Sequence, residues 1–265
     1  LLVEEEVPKL DVVGTCQMDP NGIPIVPERA DWIETIEKKD HNLPEVQEAA
    51  LVEFQRWKDT KATIPAKNED IRGAQVIPVR ILKQWKCAPD LKKAKVKPVI
   101  MGHLDRIIAE TAVATPELGL IRLAIIWGLS NNYSFAVSDL QTAFLHAPLD
   151  IGRDVFLKLP SDVPPLVTEK IPEFYPCALL KAVKAVYGLR YSPRAYMKFL
   201  EKGLEKLQYR NCGECVYIRC NSLHRVVSIV IVYVDDLMII GEDPAADRKR
   251  IETFVKIGDF RLVTD

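Results

Sequence analysis

Asp235 and Asp236 stand side by side in the most apolar stretch of the sequence, Val230-Ile231-Val232-Tyr233-Val234-Asp235-Asp236-Leu237-Met238-Ile239-Ile240-Gly241. Two adjacent carboxylates in such surroundings are costly, because like charges repel and lose hydration on burial. A divalent cation relieves that cost, and a wet turn tip is the plainer alternative. A second apolar run, Phe135-Ala136-Val137-Ser138-Asp139-Leu140, delivers one more carboxylate near its end. Asp139 beside the Asp235 hairpin would form a cluster able to hold two Mg²⁺ ions about 4 Å apart, with Mn²⁺ as a substitute. Such a pair activates an attacking hydroxyl and stabilises the pyrophosphate that leaves in an in-line displacement. That chemistry asks for metal geometry rather than a proton shuttle, and it requires Asp139 and Asp235 on adjacent antiparallel strands with Asp236 at the hairpin tip. An apolar strand ending in Asp also occurs in nucleoside triphosphatases. Their phosphate loop needs Gly-Lys followed by Ser or Thr, and the sequence has no Gly-Lys pair.

A chain of 265 residues suits one or two domains and buries enough apolar surface to fold without disulfides or a structural metal. Hydrophobic residues make up 48% and charged residues 28%, which argues against a wholly disordered, collagenous or membrane-spanning chain. The longest apolar runs, 226–234 and 237–240, fall well short of the ~18 residues that span a bilayer. Net charge is −1, but its distribution is uneven. Residues 1–53 carry thirteen acids against four bases, net −9, whereas 80–106 and 181–210 each carry eight bases against two acids, net +6. Two basic segments behind an acidic leader suit a body that binds a polyanion, since phosphate contacts are local. Solvated charged faces are the alternative.

The elements that must position these residues follow from periodicity. Residues 1–44 mix Pro, Gly and acids without period and read as an acidic, linker-like leader. Val46, Ala49, Ala50, Phe54 and Trp57 recur at helical spacing after Pro44. Strands are expected over 76–85 and 96–101, joined by a basic turn, and over 133–140, 216–218 and 226–240. Thr115-Pro116 reads as a cap opening a helix to about residue 129, with Leu118, Ile121, Leu123, Ile125 and Ile126 on its apolar face. Residues 160–176 read as a Pro-rich loop. Ser192-Pro193 opens a further helix with Tyr196, Phe199, Leu200, Leu204 and Leu207 on one face and Arg194, Lys198, Lys202 and Lys206 on another. Helices and strands interleave irregularly, so the expected class is α+β rather than a doubly wound sheet.

Three blocks in order carry a resemblance: Asp139-Leu140-Gln141-Thr142-Ala143-Phe144-Leu145, Val186-Tyr187-Gly188-Leu189-Arg190-Tyr191-Ser192-Pro193-Arg194-Ala195-Tyr196, and Tyr233-Val234-Asp235-Asp236. With the weaker Lys95-Val96-Lys97-Pro98-Val99-Ile100-Met101-Gly102, they resemble the reverse transcriptase of copia-type LTR retrotransposons over roughly residues 45–265. The resemblance implies a right-hand polymerase fold with an antiparallel palm sheet. Fingers would lie mainly at 60–113 and 151–185, and palm mainly at 114–150 and 186–265, with the thumb missing. It implies Asp139, Asp235 and Asp236 as catalytic metal ligands and Phe144 against the ribose 2′ position. Tyr187 and Gly188 would meet nucleotide and template, Lys95 and Lys97 the triphosphate, and Arg190, Arg194 and Lys198 the nucleic acid. The implied partners are an RNA or DNA primer–template, deoxynucleoside triphosphates, and the integrase and ribonuclease H of a parent Pol polyprotein. The implied location is intracellular, in a cytoplasmic retroelement particle or the nucleus, without a membrane. The chain departs from the family pattern at Met101, usually Lys, and at Tyr191, commonly Gln.

Cys212-x2-Cys215-x4-Cys220-x3-His224 has ligand types and spacing close to a zinc knuckle, which supports an alternative: a non-catalytic nucleic-acid-binding module. Against it, Glu214–Arg219 alternates as a strand, whose side chains point to opposite faces and do not converge on one ion. A third reading is an inactive, truncated piece of an element. Six cysteines in a chain of this length read as reduced thiols rather than a disulfide framework.

Overall fold

The computed structural model describes residues 32–88, 91–106 and 113–263. In chain order they form β1 (Trp32–Thr35), α1 (Pro44–Asp59), β2 (Thr63–Pro65), β3 (Val76–Ala88), β4 (Leu91–Ile100), α2 (Leu118–Ser130), β5 (Ser134–Leu140) and α3 (Ala143–His146). There follow β6 (Val155–Lys158), α4 (Pro165–Lys170), β7 (Leu179–Ala182), α5 (Ser192–Lys206), β8 (Tyr209–Gly213), β9 (Val216–Cys220), β10 (Val226–Tyr233), β11 (Asp236–Gly241), α6 (Pro244–Ile251) and β12 (Ile257–Val263). Among the described residues no helix is long and apolar enough to cross a membrane.

Two six-stranded sheets result, giving a mixed α and β architecture. The first runs β1-β3-β6-β7-β2, with β4 also paired to β3; only β3 and β6 are parallel. Its core gathers Val46, Ala50, Phe54 and Trp57 from α1 against Ile77, Val79, Val96 and Leu157, so the helical spacing of those α1 residues is the face that is buried. The second runs β12-β5-β11-β10-β9-β8, antiparallel throughout. One face is covered by α5 and α6 through Tyr196, Leu200, Leu204 and Ile251. The other is covered by α2, whose Ala124 sits with Ile229, Ile231 and Ile240. A strand with both faces covered reads as a near-continuous apolar run rather than an alternating one, and β10 is buried from Val227 to Val232, with polar Ser228 hydrogen-bonded to Tyr209.

Several expectations shift in the structure. Residues 1–31 of the expected leader lie outside the described residues. Its last part is built into the fold: β1 pairs with β3 from Trp32↔Cys87 to Thr35↔Gln84, and Ile36 is buried. Buried Lys83 ties this segment down, with Nζ 3.1 Å from His41 Nδ1 and 3.2 Å from Asp162 Oδ2. Helix α2 starts at Leu118 with Glu117, not Thr115, at its cap. Of its expected apolar face, Ile121 and Ile125 pack on the sheet, while Leu118, Leu123 and Ile126 are exposed. A turn of helix, α4, interrupts the expected loop at 160–176.

Where the first sheet meets α5, three buried or half-buried side chains interlock. Arg153 donates to the Asp105 carboxylate and to the Tyr191 hydroxyl, which itself donates to Asp105. Burial, and then the Asp105 hydrogen bond, push the Tyr191 hydroxyl up to about 12. Asp105→Asn leaves the Arg153 charge without its counter-ion in a largely dry pocket, so a loss of about 2–4 kcal/mol is expected in a urea titration. Tyr191→Phe, which keeps the ring, should lose only about 1–2 kcal/mol. Equal losses for the two would show that the Tyr191 hydroxyl holds this junction as firmly as the ion pair does.

Candidate active site

The hairpin between β10 and β11 closes through the pair Tyr233↔Asp236, leaving Val234 and Asp235 as its two turn residues. Val234 is β-branched and sits at φ 56°, in the left-handed region such residues avoid, a strain of about 1–3 kcal/mol stored at the turn. The expected arrangement is corrected here: Asp235, not Asp236, occupies the tip. Asp236 opens β11 and lies directly opposite Asp139 of β5. Directly opposed residues of an antiparallel pair have Cα atoms about 4.5–5.5 Å apart and side chains on one face. Asp235 is stitched to the same place, since its carbonyl accepts the Leu140 N–H at 2.6 Å. All three aspartates are exposed at this end of the sheet.

Oxygen donors of this kind suit a hard divalent cation. Among the described residues, however, no three His, Cys, Asp or Glu side chains are arranged to hold a metal ion. The structure thus brings the three aspartates to one strand end without closing them around a point. Oδ1 of Asp139 accepts the Asp259 N–H at 3.0 Å.

Beside the carboxylates lies an aromatic group. Phe144, on the short α3 directly after β5, meets Tyr187 at 5.3 Å and Tyr196 at 5.4 Å between ring centroids, both edge-on. The Lys97 ammonium lies 4.7 Å from the Tyr187 ring centre. Burial raises the Tyr187 hydroxyl to about 12, with the charges of Glu53 and then Asp235 adding to it. Burial and then the Asp235 charge also raise Tyr196. Asp235 therefore sits within electrostatic reach of both phenols.

Two glycines let the end of β4, which carries Lys97, approach the segment that carries Tyr187. A side chain on Gly102 would overlap the Gly188 carbonyl, and one on Gly188 would overlap the Ile100 carbonyl and lie 2.7 Å from its nitrogen. Gly188 also has φ 92°. The end of β4 can consequently dock on the 187–190 segment, where Ile100 N–H donates to Tyr187 C=O at 2.8 Å. Lys95 is exposed on the same face of β4 as Lys97. Arg190 is exposed just before α5, while Arg194 and Lys198 line a cavity of about 280 Å³ with Met197, Cys215 and Tyr217.

The zinc constellation is spread out. Cys212 lies on β8 and Cys220 ends β9, while Cys215 turns its buried thiol to the Ala114 carbonyl at 3.1 Å. Sequence reasoning missed the partners of the site: Tyr196 under Phe144, the Gly102–Gly188 contact, and Gly258-Asp259 against Asp139. A glycine inside the strand-like run 257–263 is the one signal that pointed to the last of these.

Residues 77–257, which include every site residue discussed except Gly258 and Asp259, match the family described as reverse transcriptase (RNA-dependent DNA polymerase). The chain is 27% identical over 165 residues to the retrovirus-related Pol polyprotein from transposon RE1 of Arabidopsis thaliana. It is 26% identical over 158 residues to that from transposon TNT 1-94 of Nicotiana tabacum. A third relative, from transposon RE2 of Arabidopsis thaliana, is 27% identical over 164 residues. These matches cover 61%, 58% and 61% of the chain but only 11% of each polyprotein. With well over half of its length matched, this chain belongs to the reverse transcriptase (RNA-dependent DNA polymerase) family.

Proposed function

We propose that the chain is the fingers and palm of an RNA- and DNA-templated DNA polymerase within a retrotransposon Pol polyprotein. In this reading the first sheet belongs to the fingers and the second is the palm. Integrase would precede the chain and ribonuclease H follow it, in a cytoplasmic particle or the nucleus. The observation that carries the reading is the register that sets Asp139 opposite Asp236, with Asp235 in the adjoining turn.

The reaction is attack of a primer 3′-hydroxyl oxygen on the α-phosphorus of a deoxynucleoside triphosphate. One P–O bond forms, the bond to pyrophosphate breaks, and the hydroxyl proton is released to solvent. Asp139, Asp235 and Asp236 would hold two Mg²⁺ ions, or Mn²⁺, which when bound activate the hydroxyl and stabilise the leaving pyrophosphate. Lys95 and Lys97 act as point charges for the triphosphate. Tyr187 and Gly188 form the floor on which nucleotide and template rest, and Phe144 stands against C2′ of the sugar. Arg190, Arg194 and Lys198 meet backbone phosphates, so binding weakens as salt rises.

Primer extension on primed RNA and primed DNA templates in Mg²⁺, by a polypeptide that joins this chain to the thumb of its polyprotein, tests this. Extension on both is expected, and chelation of the metal should stop it. A folded polypeptide of that kind that extends neither primer, or extension that survives chelation, would remove the polymerase reading.

A further inference from the structure

Strand β12 pairs with β5 on the side of Asp139 away from Asp236. The register runs Ile257↔Leu140 and then Phe260↔Ser138, so two residues of β12, Gly258 and Asp259, oppose Asp139 alone. This is a β-bulge, the device by which a strand re-aims a side chain. The ladder is intact beside it, where Gln141 N–H donates to Lys256 C=O at 2.9 Å, and Ile257 is buried. At the bulge the Asp259 N–H donates instead to Oδ1 of Asp139 at 3.0 Å. The carboxylate also lies over Gly258. A Cβ there would overlap Oδ1 and sit 2.7 Å from Cγ and 2.8 Å from Oδ2. Gly258 is not among the residues at positive φ, so space rather than backbone conformation calls for glycine.

We propose that the Gly258-Asp259 bulge is a socket that positions the Asp139 carboxylate. It holds Oδ1 by a backbone N–H and leaves Oδ2 to a divalent cation, which rests on the reading of Asp139 as a metal ligand. Holding one oxygen fixes the rotamer before the cation arrives, as hydrogen bonds to ligating carboxylates do in metal sites generally. Gly258 is thus a positioning residue that acts through Asp139.

A double-variant cycle tests this, with melting temperature and Mn²⁺ binding to the 265-residue chain as readouts, the latter from the paramagnetic resonance of the free ion. Gly258→Ala should weaken Mn²⁺ binding about 10–100-fold and lower the melting temperature by about 3–10 °C. In an Asp139→Ala background the new methyl has room, so the same substitution should leave the melting temperature unchanged. If Gly258→Ala alone does not fold, recovery of folding in the double variant supports the socket and failure to recover overturns it. Additive losses of stability, or Mn²⁺ binding by Gly258→Ala equal to that of the parent, overturn it as well. A parent chain that binds no Mn²⁺ refutes the metal-ligand reading and the cation half of the proposal; the stability cycle still decides the socket.

Discussion

Asp235→Asn is expected to abolish primer extension on RNA and DNA templates together, by at least about 10³-fold, or roughly 4 kcal/mol of transition-state stabilisation. The substitution keeps the side-chain volume and removes one negative charge. Asp235 is an exposed turn residue, and the hydrogen bond that anchors the turn uses its backbone carbonyl, so the fold should be untouched. The melting temperature should therefore stay within about 2 °C, which separates loss of chemistry from loss of structure. Asp139→Asn should cost as much activity. Loss of less than about tenfold for either variant would mean that these carboxylates do not hold the ions.

The second large effect concerns the sugar. If the Phe144 ring stands flat against C2′, as proposed, a hydrogen would fit there and a hydroxyl would not, so discrimination would be a matter of volume. Phe144→Val should raise ribonucleotide use relative to deoxynucleotide use by about 10²-fold, roughly 2.7 kcal/mol of differential barrier. The structure adds a second consequence. Phe144 is half-buried and braces both Tyr187 and Tyr196 edge-on, so the variant loses those contacts too. A modest loss of stability, about 1–2 kcal/mol, should accompany the change in selectivity. Primer extension against each nucleotide type measures the ratio, and a thermal melt measures the stability. Equal loss of both nucleotide activities, or an unchanged ratio, would make the ring a prop for Tyr187 and not a sugar gate.

Much of the framework was legible in the sequence because it is encoded by neighbours along the chain. Helices α1 and α5 follow from apolar residues at helical spacing behind a proline, and both bury the expected face. Strands β5, β10 and β11 follow from apolar runs, and the Asp pair that interrupts the last run marks the turn, formed by Val234 and Asp235. The short strands β6, β7 and β8 have too few residues for a period to show, so nothing local announces them.

The sequence by itself determined which residue types are available for chemistry: three carboxylates on apolar strands, an aromatic five residues after the first, and two lysines two apart. Their types and local settings are properties of short segments, and the family resemblance rests on the same segments. Tertiary structure alone decided how they meet. Turn closure put Asp235 rather than Asp236 at the tip, and pairing set Asp236 against Asp139. Packing on the second sheet chose which apolar residues of α2 are covered. Tyr191, where the family commonly has Gln, acquires its role from Asp105 and Arg153 of distant segments. The bulge that grips Asp139 comes from residues 120 positions further along the chain. Strand pairing and register are non-local: they depend on which edges come together once the cores on both faces are buried, and no short window of sequence carries that information.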